Sequence, residues 1–363
     1  MSRDEIQDKA LDILSKHFRC GLNISMGVGK TRIALQHMEE NLNQFSAFLV
    51  VAPKKIIFKS WKDECKLMNA EHLLDHIEFT TYLSLNKKNP NEYDTVYLDE
   101  CHSLLWSHKD FLDIFQGPIV GMTGTPPISG EKELLVNEFC PIVYNFEVDD
   151  ATSNKILNDY RIIVHMLELS NEKGVPKKNK DGRIWYAGEI DDYAYQTTRV
   201  NDAPSPRSRQ LASIMRMKSM MEYPSKEKYT KRLLKVIANR CIIFANTQKQ
   251  ADRMCKYSYH SKNSDSEENL QLFTDGRIDT LSCVLQLSEG VSIPKLKSGI
   301  IMHSYGNERK TTQRIGRLLR LNPNETAICH ILCYKNTIDE KWVKQALANF
   351  SENKITYYTP INN

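Results

Sequence analysis

The sequence has no apolar run approaching the roughly 18 residues a membrane helix needs, and its start, Met1-Ser2-Arg3-Asp4-Glu5, lacks the basic-then-apolar pattern of a secretory leader. The expectation is a cytoplasmic protein with no membrane contact. A large excess of one charge sign is also lacking: the formal net charge is +4 at pH 7 and the sequence pI is about 8.4. That excludes a coat of basic residues and leaves a polyanion partner permitted but undemonstrated. None of the nine cysteines forms a C-x-x-C pair, so zinc fingers and dithiol redox sites are not expected. Cys329-His330 with Cys333 is the one cluster, and its alternating stretch reads as core packing rather than metal ligation. Fixed-period repeats and low-complexity tails are missing too, which excludes solenoids and disordered arms.

What is present is an ordinary globular composition, 41% hydrophobic and 26% charged over 363 residues, enough for about two domains. Short β-rich apolar runs recur at 21–25, 48–52, 76–82, 95–99 and 119–123, with helical patterns between several of them, as at 32–40 and 56–68. A second series lies at 162–167, 241–245, 281–287, 299–303 and 327–333, with helix candidates at 248–257 and 311–319. This alternation predicts an α/β fold with parallel sheets. The predicted organisation is a first lobe over 1–147, a linker and surface excursion over 148–235 that opens the second lobe, and the rest of that lobe over 236–363. Between Asn171 and Lys235 the chain is polar and broken by Pro204 and Pro206, and a single helix, Arg207–Met221, is expected there.

Gly27-Val28-Gly29-Lys30-Thr31 sits between a predicted strand and a predicted helix, the setting a phosphate-binding loop requires. Glycines at 27 and 29 let backbone N–H groups turn inward, and the helix N-terminus adds its positive end. Lys30 can reach β- and γ-phosphates and Thr31 can ligate Mg²⁺. Met26, Val28 and Arg32 complete the candidate loop. Alone, such a pentapeptide also fits a plain loop. Thr95-Val96-Tyr97-Leu98-Asp99-Glu100 adds a strand ending in two carboxylates: Asp99 to hold Mg²⁺ through its water shell, Glu100 to activate the attacking water. Together they point to ATP and Mg²⁺ as cofactors.

At Asp99-Glu100-Cys101-His102 the sequence resembles the D-E-x-H box of superfamily 2 helicases, and further motifs of that family follow in order. Gly121-Met122-Thr123-Gly124-Thr125-Pro126 resembles the T-G-T-P segment, which implies a coupling role for His102, Thr123 and Thr125. Cys241–Asn246 resembles the fourth motif. Leu287–Pro294, containing Gly290, resembles the fifth, with Ser292 in place of the usual aspartate. Gln313-Arg314-Ile315-Gly316-Arg317-Leu318-Leu319-Arg320 resembles the sixth, which implies arginine fingers at Arg317 and Arg320 and a nucleotide contact at Gln313. Ile6-Gln7-Asp8-Lys9-Ala10 is similar to the adenine-reading segment, with Gln7 kept and an isoleucine replacing the aromatic residue. Ile24 stands where the first glycine of the strict phosphate loop would be.

The resemblance implies two tandem RecA-like lobes with ATP in the cleft between them, and a motor on nucleic acid. The Pro53…Trp61…Glu64 spacing is similar to Swi/Snf-type translocases. The second-lobe motifs resemble phage-encoded and repair-type DNA helicases, so DNA is favoured over RNA. Lys54 and Thr81 are the candidate nucleic-acid contacts, and His260 is expected to be a hydrogen-bonded structural residue. The expected core is monomeric, with room for a protein partner. Three alternatives stay open: an RNA helicase, an ATP-gated binding clamp with slow hydrolysis, and a nucleotide kinase.

Overall fold

The computed structural model describes residues 1–25, 27–179, 181–284, 296–304, 314–315, 325–348 and 350–360. The chain forms two compact units, the first built from residues up to Asp159 and the second mainly from Tyr160 onward. Among the described residues no helix is long and apolar enough to cross a membrane.

The first unit contains α1 (Arg3–Ser15), β1 (Arg19–Ile24), α2 (Lys30–Glu40), β2 (Phe48–Ala52), α3 (Ile56–Leu67), β3 (Ile77–Thr81), β4 (Thr95–Asp99), α4 (Lys109–Leu112), β5 (Ile119–Thr123), α5 (Glu131–Phe139), β6 (Ile142–Phe146) and α6 (Val148–Ser153). Its six strands run in the order β3-β2-β4-β5-β1-β6, and every pairing is parallel. Strands β2, β4 and β5 are buried at every position, the mark of a sheet covered on both faces. On one face Leu49, Val51 and Leu98 pack with Leu135, Val136 and Phe139 of α5. On the other, Tyr97 meets Phe48 edge-on and bonds His37 of α2 at 2.8 Å.

The second unit contains β7 (Asp159–Leu167), β8 (Val175–Lys178), β9 (Ile184–Ala187), α7 (Glu189–Asn201), α8 (Pro206–Met221), α9 (Pro224–Leu234), β10 (Cys241–Phe244), α10 (Gln248–Met254), β11 (Ser258–Tyr259), α11 (Ser266–Thr274), β12 (Thr280–Cys283), β13 (Ser298–Ile301), β14 (Thr326–Tyr334), α12 (Ile338–Leu347) and β15 (Ile355–Tyr358). Its seven-stranded sheet has the order β11-β12-β10-β13-β14-β7-β15, and β8 and β9 pair separately as an antiparallel ribbon. The β11–β12, β12–β10, β10–β13, β13–β14 and β7–β15 pairings are parallel. Two α/β units on largely parallel sheets are the fold class the alternating pattern predicts.

The excursion departs from its sequence reading, since it holds three helices and a ribbon rather than one helix. The reason is visible in α7, whose buried positions are Glu189, Asp192, Gln196 and Val200. A helix that buries carboxylates and an amide leaves no apolar period to read.

His330, on β14, bonds His165 of β7 at 2.9 Å, and His165 in turn bonds the Tyr229 hydroxyl at 2.7 Å. Cys329 and Cys333 are buried free thiols. His260 is buried and bonds Asp252 at 2.8 Å, the structural part its sequence context suggests.

Candidate active site

In an open parallel sheet, chemistry gathers beyond the carboxyl ends of the strands, and the first unit follows that rule. The loop after β1 turns into α2 through Gly27 at φ 89° and Gly29 at φ 110°. Gly29 is the N-cap of α2 and has a left-handed backbone. A β-carbon at Gly29 would lie 2.4 Å from Nε2 of Gln7, which would have to move aside, and the positive φ itself favours glycine there. The Lys30 ammonium donates to the Ile24 carbonyl at 3.1 Å, which folds the lysine back over the loop. Thr31 and Arg32 occupy the first turn of α2, and Arg32 is 4.0 Å from Glu64 of α3. Met26 lies outside the described residues.

Gln7 is buried and donates from Nε2 to the Val28 carbonyl at 2.7 Å. Arg3, one turn earlier on α1, donates from Nε to the same oxygen at 3.0 Å. Ile6 is fully buried, so it presents no surface for a purine to stack on. Arg3 is not anticipated from the motifs, although its position four residues before Gln7 puts both side chains on one helix face.

The second component stands at the end of β4. Asp99 is 8% exposed and accepts a 2.9 Å bond from the indole N–H of Trp61, on α3. Burial, reinforced by the neighbouring Glu100 charge, pushes the Asp99 carboxyl up to about 6, against the pull of Trp61 and Lys30. That electrostatic coupling to Lys30 links the carboxylate of β4 with the loop after β1. The Tyr82 hydroxyl donates to the Asp99 carbonyl at 3.0 Å and closes the strand end from below. Trp61 is notable in the sequence only for its spacing, because an indole donor to a residue 38 positions away leaves no local pattern.

Glu100 follows in the left-handed region, at φ 52° and ψ 56°. For a residue with a β-carbon this conformation is strained. It turns the chain abruptly so that Asp99 and Glu100 project differently. Glu100 Oε2 accepts from the Thr123 hydroxyl at 3.4 Å and lies 3.3 Å from Nδ1 of His102. Nδ1 of His102 is 2.9 Å from the same hydroxyl, and the Thr125 N–H donates to it at 3.0 Å. Four residues of two sequence motifs thus share one oxygen.

The two candidate nucleic-acid contacts also lie at this edge. Thr81 ends β3 opposite Ala52 of β2, and Lys54 follows two residues after Ala52 and is exposed.

In the second unit, Gln250 of α10 accepts the Asn246 N–H at 2.9 Å and lies 3.0 Å from Nε2 of His303. Burial holds His303 well below its ordinary pKa, so the ring is neutral and donates from Nε2. Arg314 is fully buried, donates to the His303 carbonyl at 3.0 Å and lies over the Phe244 ring at 5.5 Å. Arg314 thus ties this point of its motif to His303, just beyond β13. Gly290, Gln313, Arg317 and Arg320 lie outside the described residues.

Two family models match the chain: "Type III restriction enzyme, res subunit" over residues 2–128 and "Helicase conserved C-terminal domain" over residues 225–322. The chain is thus similar to superfamily 2 helicases and translocases in both of its units. A curated relative, the DNA 3'-5' translocase XPB2 of Sulfurisphaera tokodaii, is 26% identical over 92% of this chain and 82% of its own length. Among solved structures, the Hef helicase domain of Pyrococcus furiosus matches with a TM-score of 0.53 and 15% identity, covering 94% of this chain and 97% of that one. S. cerevisiae Dbp5 bound to RNA matches at 0.57 and 12%, covering 98% and 89%. Members of this family couple ATP hydrolysis to movement on nucleic acid, and the fold alone is shared by DNA- and RNA-bound proteins.

Proposed function

We propose that this chain is an ATP-dependent translocase or helicase acting on DNA, with the first unit as its ATP-binding lobe and the second as its C-terminal lobe. The observation that carries the proposal is the gathering of Lys30, Asp99 and a backbone-strained Glu100 at one edge of the first sheet. The 26% identity to an archaeal DNA translocase favours DNA over RNA.

The residues present fit a nucleotide with magnesium. Gly27 and Gly29 both take positive φ, a backbone conformation that suits a loop whose N–H groups turn inward toward phosphates. Thr31 and Asp99 offer hard oxygen donors of the kind Mg²⁺ prefers, Asp99 through a water. Burial raises the Asp99 carboxyl to about 6, and a dication beside it would favour its ionised form. Bound magnesium supplies positive charge against the phosphates. Lys30 supplies another and orients the terminal phosphate.

Glu100 takes the proton of the attacking water, and Thr123 and His102 hold its carboxylate in place. Met26, Gly27, Val28, Gly29 and Arg32 line the phosphate loop, with Gln7 setting its position through Val28. Gly290 and Gln313 complete the nucleotide contacts, and Arg317 and Arg320 stabilise charge developing on the γ-phosphate. His102, Thr123 and Thr125 couple hydrolysis to movement, while Lys54 and Thr81 contact the phosphate backbone of the DNA. A monomeric core working in the cytoplasm, with or without a protein partner, suits these parts.

The test is steady-state ATP hydrolysis with no nucleic acid and with matched DNA and RNA duplexes. Strong stimulation by DNA is expected, with loss of turnover in Lys30→Ala and a drop of at least about 100-fold in Glu100→Gln. Absence of stimulation by any DNA would sink the proposal, and preferential stimulation by RNA would transfer it to the other polymer.

A further inference from the structure

Within the second unit the chain carries out a two-stranded ribbon, β8–β9, whose composition the motor motifs do not explain. Between Gly174 and Gly188 it holds four cations, Lys177, Lys178, Lys180 and Arg183, against one acid, Asp181. Three consecutive large side chains follow, Ile184, Trp185 and Tyr186, at 65%, 49% and 55% exposure. An isolated two-stranded ribbon is marginal in water, yet this one is firmly held at its base. Val175 and Ala187 pair there and are buried. Lys177 forms an ion pair with buried Asp192 of α7 and donates to Ser219 of α8 at 3.3 Å. Asp192 also accepts from Tyr223 at 2.8 Å.

The register decides which surface is offered. Trp185 lies opposite Lys177 on one face, whereas Tyr186 opposite Pro176 and Ile184 opposite Lys178 form the other. The turn beyond is closed by a 2.9 Å bond from the Asn179 N–H to the Arg183 carbonyl, with Gly182 at φ 81°. A surface built to dock a protein gathers its apolar groups on one side around a desolvated centre. Here rings project from both faces of a thin ribbon with cations among them. That combination suits unpaired nucleic acid, whose bases stack on aromatic rings while its phosphates meet lysine and arginine.

We infer that the β8–β9 ribbon is a binding element for single-stranded nucleic acid, stacking unpaired bases on Trp185 and Tyr186 and pairing phosphates with Lys178 and Arg183. This rests on the motor reading above and adds to it a preference for substrates that expose an unpaired strand. Lys177 is spent on anchoring the ribbon and is not part of the contact.

The test compares binding of the full-length chain to a blunt DNA duplex and to the same duplex with an oligo-dT tail. Trp185→Ala/Tyr186→Ala should lose about tenfold or more in affinity for the tailed duplex and stay within about twofold of wild type on the blunt one, with basal ATP hydrolysis unchanged. The tail should quench part of the tryptophan fluorescence, and Trp185→Phe should abolish that part while keeping the affinity. Lys178→Ala/Arg183→Ala, at exposed positions flanking the turn, gives the same comparison if the aromatic variant fails to fold. Wild-type binding by both variants would overturn the inference and leave the ribbon to a protein partner, and equal losses on both DNAs would also overturn it. If no DNA stimulates the wild-type enzyme, the motor reading fails. If DNA stimulates it and the ribbon variants behave as wild type, only the ribbon inference fails.

Discussion

The Thr123 hydroxyl stands 2.9 Å from Nδ1 of His102 and donates to Glu100. With the Thr125 N–H also donating to it, this oxygen accepts twice and gives once, its full capacity. The arrangement is satisfied when His102 carries a proton on Nδ1, shared between Thr123 and Glu100. A displacement of the loop after β5 would therefore be felt by the Glu100 carboxylate.

Thr123→Val keeps the shape of the side chain and removes all three bonds. DNA-stimulated turnover should fall about tenfold or more, with affinities for ATP and DNA within about twofold of wild type. Single-turnover hydrolysis and equilibrium binding measure these separately. Unchanged turnover would mean the shared oxygen is structural only.

Trp61 donates to Asp99 from within a buried environment. Trp61→Phe leaves the carboxylate without that donor, and the first unit should lose about 1–3 kcal/mol of stability in urea titrations. The same variant should need more magnesium for half-maximal hydrolysis, because the Asp99 carboxyl is pushed still higher. A magnesium requirement equal to wild type would separate the bond from metal binding.

His165 and His330 face each other at 2.9 Å, and burial lowers both pKa values from 6.5 to about 4. The unfolded chain takes up these protons first as the medium acidifies. Stability contributed by the neutral pair is therefore complete above about pH 6.5 and is lost as pH falls toward 4. At pH 5 the loss should be on the order of 2 kcal/mol or more. His165→Phe/His330→Leu should flatten the dependence of the urea midpoint between pH 7 and pH 5, and an unaltered slope would count against the pair as its source.

Much of the architecture is legible in the sequence because fully buried strands such as Phe48–Ala52 and Thr95–Asp99 are short apolar runs between turn residues. Edge strand β6 is not legible, since its apolar run Ile142–Phe146 is short and follows closely on the apolar residues of α5, so no separate period stands out. Helix α7 escapes notice for the opposite reason, as its inward face is polar. At the candidate site, the sequence singles out Lys30, Asp99 and Glu100 because each lies in a short local segment, and the structure places them at the end of β4 and at the loop after β1. Arg3, Trp61 and Arg314 act across gaps in the chain, where only the folded structure brings donor and acceptor together.

Glu100 adopts a left-handed backbone that glycine adopts without strain, so the position is in conflict with its own side chain. Replacing it by glycine should raise the stability of the first unit by about 1 kcal/mol, readable as a later urea midpoint, while hydrolysis disappears. An earlier midpoint would mean that the bonds to Thr123 and His102 outweigh the backbone cost. With a later midpoint, the most robust version of this lobe is an inert one, and the carboxylate proposed to activate water is held at the expense of the lobe's own durability.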